Sequence, residues 1–341
     1  MGSWYLQNGN DSDVVFSSRI RLSRNVKGIP FTHKAKKSDL QKIYDIMKDA
    51  SYTIGYGLKF IDMKDLDENT KMSLFEKRII DKEFITNINP CTAILINDDE
   101  NICIEVNGEN HIKIQTLCSG FDLINLMNLA IEIDKKIEEY LPYSFDEQYG
   151  YLNNTPTNLG TGMKASVLVH LPGLNLTRKI KSTTNVITAF GMNIVGAYGE
   201  GTRSEGDMYQ ISNNQTIGIT EQDIISNLQV ITQKIIDQER STRKNLAKNE
   251  IDFEDKLYRS YGILTNARRL EYTESLNYIS AVKLGIDLGI IQELDDKKIR
   301  ELMLYVKPYS LQKRLGTKLN TNEQITERAN VIKQIISEDN N

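Results

Sequence analysis

The chain has 341 residues, 40% of them hydrophobic and 26% charged, and a formal net charge of -4 at pH 7. That length supports one large domain or two ordinary ones, and the weak negative charge gives no global pull toward nucleic acid, so any affinity for phosphate must come from a local cluster. The apolar runs, such as Thr92 to Ile96, fall well short of the roughly 20 residues of a membrane-spanning helix, the first ten residues are no secretory signal, and the unspaced Cys91, Cys103 and Cys118 read as buried thiols of a cytoplasmic protein.

From the N-terminus, Ser17-Ser18-Arg19-Ile20-Arg21-Leu22-Ser23-Arg24 comes first. As a strand it would put Arg19 and Arg21 on one face, where two guanidinium forks can clamp a polyphosphate. Taken alone, the segment reads rather as a solvated basic edge strand. From Thr92 to Thr116 three short runs, T-A-I-L-I-N, I-C-I-E-V-N and H-I-K-I-Q-T, are separated by Asn, Asp and Gly and predict an antiparallel meander. The last turn of that meander carries Gly108, Glu109, His111 and Lys113. A carboxylate there could act as a base or stay solvated, and His111 has no second His at metal-ligand spacing.

Leu123, Leu126, Met127, Ala130, Ile133 and Ile137 then recur at helical spacing and stop near Pro142. Next comes Pro156-Thr157-Asn158-Leu159-Gly160-Thr161-Gly162-Met163-Lys164-Ala165-Ser166, a glycine-bearing loop that matches neither a Walker nor a dinucleotide fingerprint. Its glycines would let the backbone approach a ligand, with Lys164 bringing charge, or they form a plain turn. Strands are predicted at Ala165 to Leu171, Asn193 to Ala197 and Met208 to Ser212. The stretch Gly196 to Gly206, rich in glycine and alternating charge, reads as a loop closing over a ligand or as a flexible connection.

Thr220 with Asp223 can cap a helix whose stripe runs from Ile224 to Ile236. Further helices are predicted near Phe253 to Asn266, Thr273 to Leu288, Asp296 to Tyr305 and Asn322 to Ser337. The fold class is α+β, with a sheet-based domain over 11–219 and a helical domain over 220–341.

Three stretches carry a family resemblance: S-S-R-I-R-L-S-R-N from Ser17, P-T-N-L-G-T-G-M-K-A-S-V from Pro156, and Y-G-E-G from Tyr198 with Q-I-S-N from Gln210. In this order they resemble the catalytic domain of the phosphagen (guanidino) kinases. The closer likeness is to the McsB-type protein arginine kinases, because a helical domain with Y-R-S-Y-G-I-L from Tyr258 and L-G-I-D-L-G-I-I from Leu284 follows and none precedes Ser17.

The resemblance covers about Asp11 to Ile332. It implies an antiparallel, glutamine-synthetase-like ATP site using Mg2+-ATP and protein arginine, with no dedicated metal site, nucleic acid or membrane. Ser17, Ser18, Arg19, Arg21, Lys113, Lys164, Ala165 and Ser166 would bind ATP, and Glu109 and Glu200 would pin the guanidinium. Implied partners are an McsA-like zinc-binding activator, the ClpC-ClpP protease, a CtsR-like repressor and a second copy of the chain.

The chain departs from the family pattern at several positions. Lys113 and Lys164 stand where the family has Arg, Thr155 where it has a reactive Cys, Val195 where it has another Arg, and Gly108 where it has a first Glu. Arg203 is expected to supply the charge that Val195 cannot. The phosphoarginine pocket is degenerate, keeping Arg328 and Ala329 of its motif. Two readings follow: a working protein arginine kinase with retuned contacts, or a degenerate member that binds nucleotide or phosphoarginine as an adaptor. A kinase for free guanidino compounds is disfavoured.

Overall fold

The structure, a computed structural model, describes residues 3–197, 204–248 and 250–338. Strand β1 (Val15–Arg24) is followed by helix α1 (Lys37–Ile54), strand β2 (Lys59–Asp62), helix α2 (Glu68–Glu76) and the short helix α3 (Lys82–Thr86). The meander β3 (Ala93–Ile96), β4 (Ile102–Val106) and β5 (Ile112–Ser119) leads into α4 (Leu123–Glu138). A small hairpin, β6 (Phe145–Asp146) and β7 (Gly150–Tyr151), precedes β8 (Met163–His170), α5 (Pro172–Leu176), α6 (Ile180–Ala189), β9 (Met192–Gly196) and β10 (Met208–Asn213). The remaining described residues form α7 (Glu221–Leu246), α8 (Glu250–Asn266), α9 (Tyr272–Asp287), α10 (Asp296–Tyr305), α11 (Pro308–Leu315) and α12 (Thr321–Ser337).

Eight strands form one antiparallel sheet in the order β2-β3-β4-β5-β1-β8-β10-β9. The meander, its following helix, β8 to β10 and four of the predicted C-terminal helices lie where the sequence puts them. Thr220 and Asp223 form the expected capping box, and α7 continues past the predicted stripe to Leu246.

Because side chains alternate along a strand, the register divides the sheet cleanly. One face carries Ile20, Leu22, Ile112, Ile114, Ala165, Val167, Ile194 and Ile211, which pack with α1, α4 and the stripe of α7 into the main core. The other face carries Arg19 and Arg21 of β1, opposite Lys164 and Ser166 of β8 and flanked by Lys113 and Gln115 of β5. On this polar side the ends are covered separately. Leu74 of α2 and Phe84 of α3 pack on Ile94, Ile96 and Cys103, while Leu168 and Met208 join a second core with α8 to α12. A cleft remains between them, floored by the charged middle of the sheet.

Cys91 and Cys103 are buried and Cys118 is half-buried, all three free, so the expectation of buried thiols holds for two. No helix among the described residues is long and apolar enough to cross a membrane.

Candidate active site

A cavity of about 500 Å3 lies over the polar face. Arg19, Val195 and Gln210 form its sheet side, Arg78 lines it from the segment between α2 and α3, and Tyr272 and Tyr309 of the C-terminal helices close it. Arg19 is buried and reaches three neutral acceptors: Nε to Ser166 Oγ at 3.5 Å, Nη1 to the Arg78 carbonyl at 3.4 Å and Nη2 to Gln210 Oε1 at 3.2 Å. Burial, then the neighbouring Arg21 and Arg78 charges, push its guanidinium well below the usual value. Arg78 also donates from Nη2 to Gln210 Oε1. Val195 pairs with Gln210 across the β9–β10 ladder, so Arg78 brings a guanidinium beside the place where Val195 has none.

Arg21 and Lys113 are held differently. Arg21 Nη1 donates to Asp81 Oδ2 at 2.9 Å, and Lys113 Nζ donates to the same oxygen at 2.6 Å and to Glu105 Oε2 at 2.9 Å. Burial acts to raise the Asp81 carboxyl, but Arg21, Lys113 and Arg19 outweigh it and hold it well below the usual carboxylate range. Glu105 is moved the other way, upward, because its burial outweighs Lys113. Lys164, across the ladder from Arg21, is lowered by burial and by Arg21.

A second cavity, of about 330 Å3, is lined by Thr32, His33, Glu83, Asn89, Glu109 and Asn154 among others. The Thr32 hydroxyl donates to the Glu109 carbonyl at 2.8 Å, and the Thr155 hydroxyl donates to Glu109 Oε1. Thr155 thus orients the carboxylate by a hydroxyl where the family pattern has a thiol. A Cβ on Gly108 would meet Phe84 Cδ2 at 2.6 Å, so Phe84 excludes a side chain where that pattern has a Glu. The start of α3 borders both cavities, Asp81 the first and Glu83 the second.

The structure therefore brings Arg19, Arg21, Lys113, Lys164 and Ser166 together on one face of the sheet and sets Glu109 in the second cavity. Others of the expected residues are elsewhere. Ser18 faces away from Arg19, its hydroxyl donating to the Gly120 carbonyl at 2.8 Å, and Ala165 is buried in the main core. Ser17 borders a small void with Trp4 and Arg300. Gly160 and Gly162 approach protein rather than leaving room for a ligand: a Cβ would meet the Thr216 carbonyl oxygen at 2.2 Å and the Ser23 carbonyl oxygen at 2.7 Å. Arg328 is buried, with Nε on the Val306 carbonyl at 2.6 Å and Nη1 on that of Leu270 at 3.0 Å. Glu200 and Arg203 lie outside the described residues.

Sequence reasoning passed over Arg78, Asp81, Glu83 and Glu105. The run Glu76 to Glu83, with six charged residues in eight, was the available signal, but it has no strand or helix period to say which way each charge points.

Residues 40–242 match the family described as ATP:guanido phosphotransferase, C-terminal catalytic domain, and residues 249–341 match the protein-arginine kinase McsB C-terminal domain. The chain is 41% identical over 335 residues to a protein-arginine kinase of Halothermothrix orenii, covering 98% of this chain and 96% of that one. It is 40% identical over 340 residues to the protein-arginine kinase of Bacillus subtilis, covering 98% and 93%. Among solved structures it resembles lombricine kinase, with a TM-score of 0.61, 20% identity and 70% of each chain covered. A duplicated taurocyamine kinase from Schistosoma mansoni gives a TM-score of 0.60 at 22% identity over 70% of this chain and 35% of that one. These two likenesses concern the fold.

Proposed function

The chain belongs to the protein-arginine kinase family, carrying both its guanido phosphotransferase catalytic domain and its McsB C-terminal domain, and on that premise we propose that it transfers the γ-phosphoryl group of ATP to arginine side chains of proteins. The observation that carries this reading is a pair of cavities that both border the start of α3, the first lined by Arg19, Arg78 and Lys307 beside Glu76 and Asp81, the second by Glu83 and Glu109. Phosphoryl transfer needs charge neutralisation and alignment more than covalent help. Arg19 and Arg78 line the cavity of about 500 Å3, within the usual range for a ligand site, and Arg21, Lys113 and Lys164 add positive charge on the same face of the sheet.

Glu109 accepts the guanidinium of the substrate arginine and fixes which nitrogen faces phosphorus. As the N–P bond forms and the bond to the β-phosphate oxygen breaks, the attacking nitrogen gives up a proton, which Glu109 receives. Glu200 keeps its expected role as a second pinning group. Mg2+ would enter with the nucleotide and neutralise its phosphates; held mainly by phosphate oxygens and water, it asks for no protein cage. Among the described residues no group of three or more His, Cys, Asp and Glu forms one.

Incubation with ATP, Mg2+ and an arginine-rich protein, followed by mass spectrometry under mildly acidic handling, tests the reading against the adaptor alternative. Phosphoarginine is expected on the protein and not on free arginine. Nucleotide binding with no transfer, where a control kinase labels the same substrate, would favour the adaptor. A cytoplasmic location and the partners McsA, ClpC-ClpP, CtsR and a second copy rest on the family resemblance, and co-purification from cells tests each.

A further inference from the structure

The cations on the polar face divide by what holds them. Arg19 rests on neutral oxygens of Ser166, Gln210 and the Arg78 backbone. Arg21 and Lys113 rest on a carboxylate: Asp81 Oδ2 accepts from Arg21 at 2.9 Å and from Lys113 at 2.6 Å, and Oδ1 accepts from Arg21 at 3.3 Å. Asp81 occupies the N-cap position of α3, yet its side chain makes no cap hydrogen bond. Asp normally bonds the helix amides from that position; here the carboxylate is turned to the two cations instead. It stays a third exposed and forms part of the wall of the large cavity. A carboxylate in this setting satisfies the same donors, with the same charge sign, as the oxygens of a phosphate.

We propose that Asp81 is an internal counter-anion that positions Arg21 and Lys113 while the cavity is empty and is displaced from them by nucleotide phosphate. Binding is then an exchange of anions. The affinity for ATP is set by the difference between its phosphates and Asp81 as partners of these cations, not by the phosphates alone. Glu105 remains on Lys113 throughout, because it is buried behind the lysine. The inference rests on the assignment of this cavity to ATP. It concerns a positioning residue, since Asp81 acts through Arg21 and Lys113.

The test is equilibrium binding of ATP, inorganic tripolyphosphate and adenosine to the full chain and to its Asp81→Asn variant, each with Mg2+ and with EDTA, beside steady-state kinetics. Removing the charge while keeping the shape is expected to tighten ATP and tripolyphosphate at least threefold and to lower KM for ATP by a similar factor. Adenosine binding is expected to change by less than twofold. An unchanged or weaker affinity for tripolyphosphate, in a variant that melts like the parent, overturns the exchange. Weakening confined to Mg2+ would assign Asp81 to the metal and overturns it as well. Should Asp81→Asn be poorly folded, Asp81→Ser gives the same readout. The tripolyphosphate arm separates this inference from the proposed function: it reads the exchange even in a chain that transfers no phosphate to arginine.

Discussion

Arg19, Arg21 and Arg24 belong to one strand, and the pleat sends the first two to the polar face and the third to the opposite side. There Arg24 Nη2 pairs with Asp134 at 2.7 Å and its guanidinium lies 3.6 Å from the centre of the Tyr151 ring. That division was legible from the period of a strand. The partners were not, because Arg78 and Asp81 come from an aperiodic segment that the fold brings back over the sheet. Arg78→Ala removes charge-assisted hydrogen bonds of the kind worth roughly 1.5–3 kcal/mol. It is therefore expected to raise KM for ATP at least tenfold while leaving KM for the protein acceptor unchanged, as read by initial rates; an unaltered KM for ATP would remove Arg78 from the site. His111, beside Glu109 in sequence, has a structural role instead: Nδ1 accepts from the Val26 amide at 3.0 Å, and burial pushes its pKa down to about 4. Since the unfolded imidazole titrates near 6.5, the unfolded chain takes up a proton between pH 6.5 and 4 that the folded chain refuses. Stability from this residue is present at neutral pH and lost as pH falls, by about 2 kcal/mol at pH 5. Urea unfolding at pH 7 and pH 5 should show that loss in the parent and a smaller one in His111→Gln.

At the scale of elements, the strongly periodic segments were readable and the short ones were not. The helix α4 and the meander announce themselves by spacing alone. The sequence reading passed over α1, although its buried Leu40, Ile43, Met47, Ala50 and Ile54 recur at helical spacing. By contrast α3, five residues long, owes its helix to packing of Phe84 on the edge of the sheet and carries no readable period. The glycines of the Pro156 loop were legible as special positions, but their cause lay in the neighbouring backbone and not in a ligand. A division drawn at Ile219 separates α7 from the sheet it packs on; by core, α7 belongs with the sheet and the second unit begins with α8. Its start depends on the Thr220–Asp223 box. Thr220→Ala is expected to cost about 1 kcal/mol of unfolding free energy with no change in KM for ATP, by chemical denaturation and kinetics. A change in KM would mean that this helix start reaches the site.

Across the whole molecule, the large cavity is shared between the units, since Tyr272 and Tyr309 close it over the sheet. Two links fix that closure. Glu76 of α2 accepts from the Tyr309 and Ser310 amides at 3.0 and 2.7 Å, satisfying the open start of α11. A buried chain of ion pairs runs from Arg243 to Asp287 at 3.0 Å, through Lys283 to Asp296 at 3.0 Å, and on to Arg300 at 2.7 Å; Arg300 ends on the Phe16 carbonyl at the start of β1. Lys283→Met leaves two carboxylates short of their shared cation, and the expected loss is roughly 3–5 kcal/mol of stability, visible in denaturation; a loss under 1 kcal/mol would show that the chain of charges does not brace the units. The account as a whole stands on transfer of phosphate to a guanidinium held by Glu109. The most direct measurement is phosphoarginine formed on a protein substrate by the parent and by Glu109→Gln, with ATP affinity determined for both. The account predicts phosphoarginine from the parent, at least a hundredfold less from the variant, and equal affinity for ATP. Phosphoarginine formed equally by both, or by neither while ATP is bound, would contradict it.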